Sequence, residues 1–363
     1  MIYRAIGLMS GSSLDGLDIA FVEIHESARK WGFEILNAAC YPYPPEWQQR
    51  LATAPQLSAY DYLLLHTAYG RYIGEQVNRF IQTHQLEHKV QLIASHGHTV
   101  FHDPDNRITA QIGDGASIAA VTGLNVISDL RAVDVALGGQ GAPIVPVGEK
   151  LLFPGFDYYL NLGGIANLTV AGAEKGAQAF DVCPANRVLN LLAASLGKSF
   201  DDNGNIASGG RIDEDVLNRL NRLTYYSLPA PKSLANEFGT DTVFPILRDA
   251  GITTADALRT MVEHIAIQVE ASVENYRSAR EPQRLLVTGG GALNGFLVGT
   301  ITEKLAAMGI ETVVPDSALI EFKEAVTMAL MGVLRWRQDE NVFASVTGAS
   351  RDSINGALWS GIY

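Results

Sequence analysis

Cysteine is scarce: Cys40 and Cys183 are the only two in 363 residues. Two cysteines make no disulfide framework, which fits a reducing compartment. Positive charge is in deficit as well, with 27 Lys and Arg against 39 Asp and Glu and a formal net charge of −12. That balance argues against a nucleic-acid partner. Any anionic ligand has to be held by local N–H groups and a few Arg or Lys residues, against the global field. No apolar run reaches the length of a membrane span. The opening Met1-Ile-Tyr-Arg runs into a strand without the basic and apolar regions of an export leader, so the expectation is a cytoplasmic protein. The common phosphate-binding motifs are missing too. There is no G-x-x-x-x-G-K-[ST], and Asn294 stands where a G-x-G-x-x-G beginning at Gly289 would need glycine.

Glycine, by contrast, is plentiful, at 35 residues, in a chain that is 47% hydrophobic and 18% charged. The length predicts about two domains. Residues 7–18, Gly-Leu-Met-Ser-Gly-Ser-Ser-Leu-Asp-Gly-Leu-Asp, lie between two strand-like runs, 2–8 and 17–24, and read as a hairpin turn. Gly7, Gly11 and Gly16 permit close backbone approach or positive φ. Ser10, Ser12 and Ser13 add hydroxyls, and Asp15 and Asp18 add carboxylates. Such a turn wraps a phosphate with N–H and O–H groups while an acidic side chain faces a magnesium ion. A plain polar hairpin is the alternative.

Strand and helix patterns then alternate, with strands at 32–41, 91–95 and 125–128 and helices at 59–83 and 115–122. The order restarts at 158: strands 158–162, 166–170 and 177–180, helix 186–196, helix 254–277, strand 284–288, helix 295–308, strand 311–314 and helix 322–337. Meanders followed by α/β units predict mixed sheets flanked by helices. The restart is a weak internal repeat, because the first hairpin is echoed by Leu162-Gly163-Gly164-Ile165-Ala166-Asn167. A third cluster, Gly289-Gly290-Gly291, follows an apolar strand and opens a helix, a corner suited to a nucleotide at the carboxyl edge of a sheet.

These blocks resemble the actin/Hsp70/hexokinase superfamily, and within it the anhydro-N-acetylmuramic acid kinase family over nearly the whole chain. Residues 7–18 match G-x-M-S-G-T-S-x-D-G-x-D with Ser12 for Thr. Ser95-His96-Gly97-His98-Thr99-Val100 resembles S-H-G-Q-T-V with His98 for Gln. Ser128-Asp129-Leu130-Arg131 and Gly138-Gly139-Gln140-Gly141-Ala142-Pro143 resemble D-F-R and G-G-Q-G-A-P. The Gly163-Gly164 turn and residues 287–294 look like the second phosphate turn and the adenosine corner.

The resemblance implies a two-lobed α/β fold of ribonuclease H-like, actin/hexokinase-like type with an interlobe cleft. Its lobes are expected at 1–134 with 341–363 and at 135–340. It implies ATP with Mg2+, and phosphorylation of O6 of 1,6-anhydro-N-acetylmuramic acid with opening of the anhydro ring. It also implies a homodimer. Nucleotide contacts fall at Gly11, Ser12, Ser13, Leu14, Asp15, Gly16, Leu17, Asp18, Gly163, Gly164, Gly289, Gly290 and Gly291, with Asp15 orienting the metal through water. The base falls at Asp181, in Phe180-Asp181-Val182-Cys183-Pro184-Ala185-Asn186 against F-D-T-G-P-x-N. At a strand end just before a helix, Asp181 can take a proton from water or merely cap that helix. His96, Gly97, Arg131 and Asn186 are the expected sugar contacts. A guanidinium suits the lactyl carboxylate of muramic acid, whereas a surface salt bridge is its alternative.

Three segments depart from the pattern. Val182-Cys183 replace Thr-Gly, Asn190 stands for Asp, and Leu234, Ala235 and Asn236 replace Thr, Gly and Arg of P-K-S-T-G-R-E. Nucleotide chemistry is therefore expected more firmly than the particular sugar. A kinase of another sugar or anhydrosugar, or an ATP clamp that transfers nothing, are the competing readings.

Overall fold

The computed structural model describes residues 1–11, 13–172, 177–230, 232–235, 237–277 and 282–361; Ser12, Pro231 and Asn236 lie outside them. The chain divides into two compact units, Met1–Pro154 with Phe322–Tyr363, and Gly155–Glu321. The first unit thus runs past the expected 134, since the helix Pro146–Leu152 lies against its third strand. Its C-terminal part starts at Phe322 rather than 341, because the helix Ser317–Arg337 packs on its first strand.

The first unit is built on a mixed sheet. Strands β1 (Ile2–Ser10), β2 (Gly16–Ser27) and β3 (Lys30–Pro42) form an antiparallel meander. β4 (Leu92–Asp103) and β6 (Val126–Ser128) then add in parallel beside β1, β5 (Ile108–Ile112) pairs with the far half of β4, and β12 (Ala357–Trp359) closes the edge. Apolar residues on one face of β1 and β2, such as Ile6, Leu8, Ile19 and Phe21, share a core with the helix Ala59–His84. That helix buries Leu65, Tyr69, Ile73, Val77 and Phe80 at three- and four-residue spacing, an apolar stripe facing the sheet. Ser58 caps its start by accepting from the Asp61 N–H at 3.2 Å.

The second unit repeats the plan with fewer strands. β7 (Tyr158–Leu162), β8 (Ile165–Val170) and β9 (Gln178–Pro184) form the meander, and β10 (Gln283–Thr288) and β11 (Ile310–Val313) follow in parallel beside β7. The second sheet runs β9-β8-β7-β10-β11, and the first runs β3-β2-β1-β4-β6 in the same sense, with β5 paired off this path to β4 and β12 added at the edge. The repeat suspected from the glycine turns is therefore a repeat of topology, and the mixed sheets flanked by helices are as expected. The helix Thr254–Glu274 buries Leu258, Met261, Val262, Ile265 and Val269 in this unit's core. On the other face of the sheet, the pairings Thr288↔Asn161, Asn161↔Asn167 and Asn167↔Asp181 set polar residues in one row across four strands.

Backbone contact between β1 and the helix Ser317–Arg337 leaves no room for a side chain at Gly7, where a Cβ would stand 1.8 Å from Ala325 O. Gly7→Ala is expected to destabilise the protein by about 3 kcal/mol, read as a lower urea midpoint. An unchanged midpoint would refute this packing.

Candidate active site

In the first unit the Gly/Ser/Asp segment closes the β1–β2 hairpin. Leu14 takes a φ of 58°, and its N–H donates to Gly11 O at 3.4 Å. Asp15 Oδ1 accepts from Ser13 Oγ at 2.7 Å and from the Gly16 N–H at 3.0 Å, so an exposed carboxylate organises the turn. Gly16 is obligatory, since a Cβ would lie 2.6 Å from Cys40 Sγ and 2.8 Å from Tyr41 O. Leu17 is buried in the core and Asp18 sits within β2 opposite Met9 and Cys40. Gly11, Ser13, Leu14, Asp15 and Gly16 form the turn proper. Behind it, Tyr43 donates to Ser10 Oγ at 2.8 Å, and His98 Nδ1 meets the same oxygen at 3.2 Å. His98, where the family pattern has Gln, is thus tied to the base of the hairpin.

Magnesium takes few protein carboxylates and keeps most of its water. Among the described residues, no group of three or more His, Cys, Asp or Glu is placed to hold a metal. The exposed Asp15 fits an ion held largely through water.

β4 does not stop at Ser95 but continues to Asp103, because β5 pairs with it from His98 onward. His96 and Gly97 therefore lie within a strand rather than beyond its end. His96 is buried, with Nδ1 2.8 Å from Gly97 O and Nε2 2.8 Å from Arg131 Nε. A carbonyl only accepts and a guanidinium only donates, so the ring is neutral with its proton on Nδ1. Burial, helped by the Arg131 charge, pushes its pKa down to about 3. With both nitrogens engaged, His96 has none free for a ligand and instead holds the Arg131 guanidinium in place.

Arg131 also donates from Nη1 to Gly141 O at 2.9 Å. The Gly141 N–H donates to Asp134 Oδ2 at 2.7 Å, and Thr347 Oγ1 donates to Asp134 Oδ1 at 2.7 Å. Nη2 is left without a partner among the described residues. Burial lowers the Arg131 pKa to about 10, with Glu324 opposing the shift, so the guanidinium stays charged at neutral pH.

In the second unit Asp181 lies inside β9, opposite Asn167, not at a strand end. Ala185 occupies the cap position of the helix Asn186–Ala194 and no side chain caps it, which removes the capping explanation for Asp181. The aspartate is instead bracketed. Its N–H donates to Lys232 O at 3.0 Å, the Leu234 N–H donates to its Oδ2 at 2.8 Å, and Tyr225 donates to its carbonyl at 2.7 Å. Burial raises its pKa and the Leu234 N–H opposes the rise. Lys232 Nζ lies 4.5 Å from the centre of the Tyr225 ring, steadying that side chain. Phe180, the next residue along β9, faces the other way, onto a cavity of about 420 Å³ that Lys232 and Tyr276 also line.

Three expected segments meet in this unit. Asn186 donates from Nδ2 to Leu162 O at 2.9 Å, and its N–H donates to Gly163 O at 3.1 Å. A Cβ on Gly291 would lie 2.9 Å from Asn186 Oδ1, and one on Gly289, whose φ is 80°, would lie 2.6 Å from Asn161 Oδ1. Asn186 thus braces the Gly163-Gly164 turn against the Gly289–291 corner. Gly290 lies exposed between its two neighbours.

A family model described as anhydro-N-acetylmuramic acid kinase matches residues 3–361. The chain belongs to this family. Curated relatives carrying the same description include one from Gloeobacter violaceus, 35% identical with 96% of each chain covered. Another, from Idiomarina loihiensis, is 34% identical over 98% of this chain and 99% of its own. A third, from Streptomyces coelicolor, is 34% identical over 99% of this chain and 94% of its own. Among solved structures, an activator of the 2-hydroxyisocaproyl-CoA dehydratase from Clostridium difficile overlaps 92% of this chain and 96% of its own, at 13% identity and a TM-score of 0.45.

Within the family frame, sequence reasoning passed over Tyr225 and Glu324. Neither lies in a glycine-rich block, and each reaches its partner only through the fold. Tyr225→Phe removes one hydrogen bond from Asp181 and keeps the ring. It is expected to lower kcat about tenfold with the KM for ATP unchanged; an unaltered kcat would show that the bond is idle.

His96 also sets a pH dependence. Its folded pKa near 3 lies below the ordinary value near 6.5, so the unfolded chain binds more protons between the two. The stability due to neutral His96 is complete above pH 6.5 and is lost as pH falls, at about 1.4 kcal/mol per pH unit. His96→Gln keeps an acceptor for Arg131 and is expected to flatten the fall of Tm over that acid range. Parallel curves for the two proteins would contradict a neutral His96.

Proposed function

We propose that this chain transfers the γ-phosphoryl group of ATP to O6 of 1,6-anhydro-N-acetylmuramic acid while water opens the anhydro bridge. The product is N-acetylmuramic acid 6-phosphate, an intermediate of cell-wall recycling. The observation that carries the reading is Asp181, a desolvated carboxylate with Oδ2 held by the Leu234 N–H and no capping role.

In the proposed step Asp181 takes a proton from water as the water oxygen bonds to the anomeric carbon. The C1–O6 bond breaks, O6 bonds to the γ-phosphorus, and ADP leaves with the electrons of the old P–O bond. Positioning and local electrostatics supply most of the rate in such a transfer. The upward pull of burial on its pKa makes Asp181 a stronger base than a solvent-exposed carboxylate. Arg131, with Nη2 available, is assigned to the lactyl carboxylate. The turn at Gly11 to Gly16, the turn Gly163-Gly164 and the corner Gly289–291 are assigned to the nucleotide. Asp15 would hold Mg2+, which shields the phosphate charge.

The altered 232–236 segment weighs less against this sugar than its side chains suggest. It engages Asp181 through the carbonyl of Lys232 and the N–H of Leu234, which the changes at Leu234 and Ala235 leave in place. The same reading places the protein in the cytoplasm, where ATP is available, as a homodimer. Among the described residues, no helix is long and apolar enough to cross a membrane.

Asp181→Asn is expected to abolish formation of the 6-phosphosugar while ATP affinity stays within a few-fold. The acid limb of kcat/KM for the unaltered enzyme should lie above the ordinary carboxylate value. Collapse of ATP binding in the variant would make Asp181 structural. Turnover of a different sugar by the unaltered enzyme, with none of the anhydrosugar, would replace the substrate.

A further inference from the structure

The second unit holds a cation that no expectation named. Arg187 opens the helix Asn186–Ala194, directly after the residue that braces the Gly163-Gly164 turn. Its Nε is buried and has no hydrogen-bond partner. Among the described residues no carboxylate lies within ion-pair distance of its guanidinium. A Cβ built on Gly164 would lie 3.7 Å from Nε and 4.0 Å from Nη2, so the guanidinium lies alongside the exposed glycine.

Leaving a donor buried and unmet is costly, and a guanidinium cannot escape by losing its proton. The turn beside it is already committed on its acceptor side. Gly163 O accepts from the Asn186 N–H at 3.1 Å, and Gly164 O accepts from the Ala185 N–H at 2.9 Å and the Arg187 N–H at 3.4 Å. With both glycine carbonyls turned to the helix start, neither is left to repel an anion at the tip of the turn. Donors and a fixed positive charge therefore converge at one place in a chain whose net charge is −12.

We propose that Arg187 binds the phosphate chain of the nucleotide at the Gly163-Gly164 turn, supplying the cation that the turn lacks. The assignment rests on the nucleotide reading of this turn. A planar guanidinium pairs with two phosphoryl oxygens at once, which distinguishes a polyphosphate from the single carboxylate of the sugar. Arg187 then contributes chiefly to ground-state binding of ATP, so its loss raises KM more than it lowers kcat.

The test compares the unaltered enzyme with Arg187→Met and Arg187→Lys, measuring the rise in Tm given by ATP, inorganic tripolyphosphate and adenosine, together with kinetics. For Arg187→Met the expected result is a KM for ATP raised about tenfold, kcat within a few-fold, no response to tripolyphosphate and an unchanged response to adenosine. Arg187→Lys should recover part of the tripolyphosphate response, which separates lost charge from a misfolded turn. If tripolyphosphate stabilises Arg187→Met as well as the unaltered enzyme, or if the KM for the sugar rises instead, the assignment is overturned. If the unaltered enzyme responds to tripolyphosphate through Arg187 but not to ATP, the anion site stands and the nucleotide reading falls.

Discussion

A carboxylate buried within a strand needs donors to hold its charge, and the segments around β9 in the second unit meet that need at Asp181. Burial alone would drive Asp181 toward its neutral form. The counterweight is a single backbone donor, the Leu234 N–H, on Oδ2. The neighbouring Lys232 also accepts from the Asp181 N–H through its carbonyl, so Lys232 and Leu234 lie against β9 at Asp181 by main-chain atoms. Because the hold is exerted by main-chain atoms, the side chains of that segment are free to change. What cannot change cheaply is the path of the backbone.

A second constraint is global. A protein with a net charge of −12 repels a polyphosphate at long range, and screening in physiological salt confines that repulsion to about 8 Å. Binding then depends on what lies within a few ångströms. Among the described residues, two guanidinium groups set beside the candidate site segments have no carboxylate in ion-pair contact, Arg131 in the first unit and Arg187 in the second. Arg131 is spoken for on two of its three nitrogens by neutral groups, His96 Nε2 and Gly141 O. Neutral acceptors orient a guanidinium without cancelling its charge, which is why a buried, deprotonated imidazole suits this position better than an aspartate would. The same logic gives Asp134 its place one step further back, bonded to the Gly141 N–H and to Thr347 rather than to Arg131 itself.

The sheets, the main helices and the glycine turns were legible in the sequence because each is a local pattern: a run of apolar residues, a cap, a glycine where φ must be positive. The boundaries that failed are those set by partners distant in sequence. β4 was expected to end at Ser95 because nothing near it announces that β5 will pair with its second half. β9 was expected to stop before Asp181 because its last pairings, to Ile165 and Ala166, cross a bulge. Roles were harder still to read. His96 and Asn186 were recognisable as site residues, yet their side chains are engaged by Arg131 and Leu162, which no spacing rule reveals. Tyr225, Glu324 and Arg187 carry no motif at all.

The shared strand order of the two units shows what a common topology fixes and what it leaves open. Both sheets place a tight hairpin between their first two strands, and in both a small residue is enforced nearby: Gly16 against Cys40 and Tyr41, Gly291 against Leu162 and Asn186. The chemistry of the two turns has nonetheless separated. The first is organised by its own side chains, Ser13 and Asp15, so a carboxylate stands exposed at its tip. The second has only glycine at its tip and is braced from outside by Asn186, with an arginine alongside. A turn that carries its own acid presents negative charge, whereas a turn stripped of side chains and flanked by a guanidinium presents positive charge. On one shared strand order the two turns thus carry opposite electrostatics, an exposed carboxylate in the first unit and, among the described residues, a guanidinium without a carboxylate partner in the second.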